Sequence, residues 1–162
     1  MQEKQLVTMI TSQRAFLEIA EDALAESERL GSEQARPKPG GEEGLILILD
    51  PHQQSFKQAC IALIFACCYL EALLYCVGTR KFPNNWNDKK VYEKKLKRLG
   101  VADSALLDEA ERLRGVRKEV VHEKAVATPG ESMGEIYVAQ VEAKRAVVFV
   151  KTIRDKLDLL FM

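Results

Sequence analysis

Two side chains stand where their charge does not belong. Each residue of an α-helix turns the chain by about 100°, so a run of apolar residues can be laid out face by face. Between residues 104 and 124, Leu106, Ala110, Leu113, Val120 and Val121 gather on one stripe, and Arg117 falls in its middle. Between residues 51 and 77, Glu71 sits among Cys60, Ile64, Cys67, Leu74 and Tyr75. Burying either charge alone costs several kcal/mol, so each needs a partner or a cleft. The simplest arrangement puts Glu71 and Arg117 beside one another. A structural ion pair is one outcome, and an Arg117 that snorkels to solvent is another. The third is an arginine held at the edge of a polar cleft to meet an anion, because its planar fork matches a phosphate.

His122 follows Arg117 by five residues, about 140° round an ideal helix. Both reach one ligand only if the helix loosens near its end or a second subunit completes the site. Near a helix C-terminus the imidazole also suits the helix dipole. His52 falls in the first turn of its helix and is expected at the surface. The cysteines, Cys60, Cys67, Cys68 and Cys76, share one apolar segment and form no C-x-x-C pair. They are expected to be small buried hydrophobes carrying reduced thiols, with no metal site and no cofactor.

Acidic and basic residues balance at 24 each, so any electrostatic function lies in their distribution. Residues 80–98 carry eight basic side chains against two acidic ones, and residues 1–50 carry five against ten. The basic stretch holds Lys89, Lys90, Lys94, Lys95, Lys97 and Arg98, with Phe82, Trp86 and Tyr92 interleaved. Such a surface can track a phosphodiester backbone and stack bases; the alternative is a solvated lysine face.

These residues need helices to position them. At 162 residues, 47% hydrophobic and 30% charged, the chain fits one domain with its own core. Residues 2–30 read as an amphipathic helix stopped at Gly31, and 31–44 as a Gly/Pro-rich loop. Residues 45–49, LILIL, suit either a short extended piece or a helical lead-in. Asp50 as N-cap, Pro51 and Gln53 then predict a helix to about Val77, with Gly78 as its stop. Residues 59–77 hold one charge in 19 positions, enough length for a membrane span. Glu71 inside the run argues instead for the central helix of a bundle or a dimer interface. A basic helix over 87–99 ends at Gly100. A further helix starts near Asp103 or Ser104 and runs to about Lys124, and the last spans about Glu135–Leu160, with Ser132 and Glu135 as a capping box. The expected architecture is an all-α bundle of about five helices forming a single domain. The N-terminus, MQEKQLVTMITSQ, is unlike a secretory signal, which points to the cytoplasm and to no membrane.

The segment LRGVRKEVVHEKA (113–125) contains Arg117-Lys-Glu-Val-Val-His122, an R-x4-H. It resembles the R-x4-6-H signature of HEPN domains. Its place in a late helix, after a long apolar helix with one glutamate (FACCYLEALLY), fits the same family over roughly residues 50–160. The resemblance implies a helical bundle that dimerises, with two motifs facing a shared cleft. It also implies a metal-independent endoribonuclease, often a toxin or defence effector with a cognate antitoxin. On that basis His122 is general acid or base as the RNA 2′-hydroxyl attacks the adjacent phosphate, leaving a 2′,3′-cyclic phosphate. Arg117 stabilises charge on that phosphate, Glu71 orients Arg117, and DNA is not cut. Lys118 stands where the family often has Asn; it adds phosphate affinity or marks a degenerate site. Lys124 stands where some toxin members have a modifiable tyrosine. The family also contains inactive RNA-binding and protein-interaction forms.

Overall fold

The computed structural model describes residues 2–33, 35–37, 40, 45–47, 52–122 and 132–161. Five helices and one small ribbon follow in the order α1 (Gln2–Glu33), β1 (Ala35–Pro37), β2 (Leu45–Leu47), α2 (Gln54–Lys81), α3 (Tyr92–Leu99), α4 (Ser104–His122) and α5 (Ser132–Phe161). The fold is an all-α helical bundle, as its periodicity predicts. The ambiguous LILIL segment supplies a short extended piece: β1 and β2 pair antiparallel, Arg36 opposite Ile46.

The core forms around α2, which packs along α1 on one side and α5 on the other. Its buried face carries Ala59, Ala62, Leu63, Ala66, Leu70, Leu73 and Leu74. Ala20 and Ala23 of α1 and Ala143 and Ala146 of α5 are buried as well. Small side chains at these positions let the three helix axes approach closely. One polar knot ties the three together. Ser27 Oγ donates to the Ser55 carbonyl at 2.8 Å, and Ser55 Oγ donates back to the Ser27 carbonyl at 3.1 Å. Gln140 Nε2 donates to the Ser27 carbonyl at 3.1 Å and to Ser55 Oγ.

Two glycines expected to stop helices lie inside them. At Gly78 the Trp86 indole occupies the space a Cβ would need, and α2 continues to Lys81, where the Phe82 N–H bonds the Gly78 carbonyl at 2.8 Å. At Gly31 the Gln140 amide plays the same part. Helix α2 begins at Gln54 rather than just after Asp50. Gln53, expected three residues inside the helix, precedes it in the left-handed region with φ 51°. Asp50 and Pro51 lie outside the described residues.

Gly100 does end its helix. With φ 103° its N–H meets the Leu96 and Lys97 carbonyls, and Val101 N–H returns to the Leu96 carbonyl at 3.1 Å, a Schellman-type stop. Helix α3 starts at Tyr92, later than residue 87, because the Asn87 side chain accepts the Lys89 N–H at 3.0 Å and holds a turn there. Asp103 caps α4, its carboxylate accepting the N–H groups of Ala105 and Leu106. Ser132, expected as a cap, is the first residue of α5. By length and composition α2 could cross a membrane, but 44% of its most apolar window is buried inside the bundle.

Candidate anion site on the α2–α3–α4 seam

Apolar packing brings the two misplaced charges together. Leu70 and Leu74 turn α2 toward the core, which leaves Glu71 at the edge of the buried face. Leu107, Ala110 and Leu113 bury α4 in the same way, and Arg117 continues that stripe. Arg117 Nη1 donates to Glu71 Oε1 at 2.7 Å. Tyr92, the first residue of α3, completes the group. Its hydroxyl donates to the same Glu71 oxygen at 2.8 Å and lies 3.5 Å from Arg117 Nη1.

The pair is not sealed in. The side chains of Arg117 and Glu71 are 37% and 40% exposed, so both reach solvent in part. The Arg117 Nε, by contrast, is buried without a hydrogen-bond partner. Burial works against the charge of Arg117, but the groups it faces, the Glu71 carboxylate among them, prevail and hold it more firmly protonated than usual. Burial pushes the Cys67 thiol up to about 12 and raises the Tyr92 phenol as well. Both groups are therefore neutral near pH 7, and Arg117 keeps its positive charge.

A second acid–arginine pair lies one step along the seam. Arg114 Nη2 approaches Glu93 Oε1 at 3.5 Å, next to Tyr92 in sequence. On the far side of α4, Arg112 bonds Glu109 and Glu142, and Arg145 reaches Glu109 at 2.8 Å. This network ties α4 to α5 and leaves the Arg114–Arg117 side to α3.

The expected site residues divide three ways. Glu71 and Arg117 are brought together. Helix α4 ends at His122, whose side chain lies outside the described residues. Lys118 is exposed beside Arg117.

Of the basic residues expected to face nucleic acid, Lys89, Lys90, Lys94, Lys97 and Arg98 are exposed. Lys95 is not. It is 5% exposed and its Nζ is bound to Asp88 at 2.6 Å. Tyr92, counted among base-stacking aromatics, is 5% exposed and turned inward. Both belong to the buried face of α3 with Leu96 and Leu99, a spacing of three, four and seven residues that was available in the sequence. Phe82 and Trp86 pack on the core, their rings parallel within 2°, and the Arg98 guanidinium covers Phe82 at 4.7 Å. No group of His, Cys, Asp and Glu able to hold a metal occurs among the described residues. Comparison with known protein families, curated proteins and solved structures finds no match.

Proposed function

We propose that this chain is a HEPN-like, metal-independent endoribonuclease that acts as a homodimer in the cytoplasm. One observation carries the proposal. A motif arginine in a late helix is anchored by a carboxylate and a phenol, with its side chain part-exposed, five residues before His122 on the same helix. A guanidinium fixed in that way is ready for a phosphate before the phosphate arrives. His122 would move the protons, the task for which a histidine side chain is suited in both directions of transfer. The exposed lysines of α3 and its preceding loop would guide the strand, and the 2′-hydroxyl requirement limits the reaction to RNA.

The dimer is supported by the outer face of α2. Opposite the buried face, Ile61, Ile64, Cys68, Ala72 and Tyr75 form a second apolar stripe, with Ile61 37% and Tyr75 39% exposed. Glu71 borders this stripe. A second copy seated there would place two Arg117 side chains near a common cleft.

The test is cleavage of mixed RNA by purified protein in EDTA, beside Arg117→Ala and His122→Ala. New 2′,3′-cyclic phosphate ends from the wild type, lost in both variants, are expected. Folded, dimeric wild type that leaves RNA intact would overturn the nuclease. The Glu71–Arg117 ion pair also favours a non-catalytic RNA-binding or protein-interaction module, in which that pair is structural. RNA bound but not cut is the outcome that selects the binding module.

A further inference from the structure

Arg114 and Arg117 are three residues apart on α4, so their Cβ atoms are neighbours at about 5–6 Å. They meet adjacent residues of α3: Arg117 approaches Tyr92, and Arg114 approaches Glu93. Both side chains are part-exposed, at 41% for Arg114 and 37% for Arg117. Both also bury an Nε that has no hydrogen-bond partner.

Their carboxylates hold them unequally. Arg117 is bound to Glu71 at 2.7 Å. Arg114 lies 3.5 Å from Glu93 and 3.6 Å from Glu111, at or past the limit of a hydrogen bond. Glu93 Oε2 is itself buried without a partner. A buried carboxylate oxygen and a buried guanidinium N–H left unsatisfied on one seam are costly, since each forfeits its hydration. The terminal Nη2 of Arg114 thus lies loosely between two carboxylates, Glu93 and Glu111, while its Nε is buried and unpartnered.

We infer that Arg114 is a second phosphate-binding residue, which takes the phosphodiester next to the one on Arg117. The site then grips two successive phosphates of a single strand. This rests on the proposed RNA substrate. Arginine fits the role better than lysine, because its planar fork can bond two phosphate oxygens and displace the loose Glu93 and Glu111 contacts at Nη2. Lys118 on the outer flank, with Lys94 and Lys97 on α3, extends the positive surface beyond this pair.

The experiment measures binding of a fluorescein-labelled oligouridylate to the full chain carrying His122→Ala, in EDTA, across a potassium chloride series. Each phosphate contact on a single strand adds about 0.7 to the slope of log K against log salt. Arg114→Gln should lower the slope by about 0.7 and weaken low-salt binding by about tenfold. Arg114→Lys should restore the slope but only part of the affinity. Glu93→Gln, which keeps the side-chain shape and releases Arg114, should tighten binding.

Melting curves establish that each variant is folded. An unchanged slope in folded Arg114→Gln, with a lowered slope in Arg117→Gln, overturns the second site and leaves the first. Weaker binding by Glu93→Gln also counts against it. No RNA binding by the His122→Ala chain overturns both the substrate and this site. Slope loss in both arginine variants, with no cleavage by wild type, overturns the nuclease alone.

Discussion

Ser27, Ser55 and Gln140 meet where α1, α2 and α5 touch, and their polar groups close on one another. The region around α3 and α4 is built differently. The buried side-chain atoms without partners among the described residues are Trp86 Nε1, Glu93 Oε2, Arg114 Nε and Arg117 Nε, and all four lie between residues 86 and 117. The first region buries two serines at 0% exposure and loses little by it. The second keeps two arginines near carboxylates yet leaves inward-facing groups unpaired. Unsatisfied groups concentrated on one side of a molecule mark where something other than stability sets the residue types. The α1–α2–α5 side holds the fold, and the α3–α4 side presents the charge.

Substitutions that exploit this contrast have graded outcomes. Leu70→Ala, at 0% exposure on α2, should cost about 2–5 kcal/mol by urea unfolding. A loss below 1 kcal/mol would mean α2 is not the core helix. Ser55→Ala breaks the closed knot and should cost about 1–2 kcal/mol with an unchanged urea m value. If it is neutral, the knot has no special standing beside the seam. Tyr92→Phe removes one hydroxyl and should cost about 0.5–1.5 kcal/mol, but lower the rate of the proposed RNA cleavage by about tenfold as the Glu71 support of Arg117 loses a hydrogen bond. Equal small effects on both would make Tyr92 a packing residue only.

The last effect is absent at neutral pH and appears in alkali. Burial raises Cys67 from 9.0 to about 12, so above pH 9 the native state holds a proton the unfolded chain has released. Stability should fall as pH rises from about 9 toward 12. Urea unfolding across that window should show a flatter decline in Cys67→Ala. An identical decline in both would remove Cys67 from the account.

Much of this was legible in the sequence, for a physical reason. A charge on an apolar stripe needs a partner, and that requirement alone joined Glu71 to Arg117 across 46 residues of chain. Gly100 was legible because its role is local: a left-handed residue ends a helix whatever surrounds it. Gly31 and Gly78 were not, because what happens at them depends on Gln140 and Trp86, which arrive from elsewhere in the chain. By charge alone Lys95 is one more cation of the 80–98 stretch. Its position relative to Leu96 and Leu99 put it on the buried side of α3, where Asp88 neutralises it. Arg114 is not legible in that way, because it lies off the apolar stripe and no spacing encodes its imperfect contact with Glu93.

Trp86 has a consequence for anyone who handles this protein. It is the one tryptophan of the chain, seated on the bare backbone of Gly78, stacked with Phe82 and approached by Arg98. Its emission therefore comes from a single place, the joint between the central helix and the lysine-bearing segment. A change in intensity or wavelength reports that joint alone, so the molecule carries a built-in optical gauge of whether its basic arm is docked.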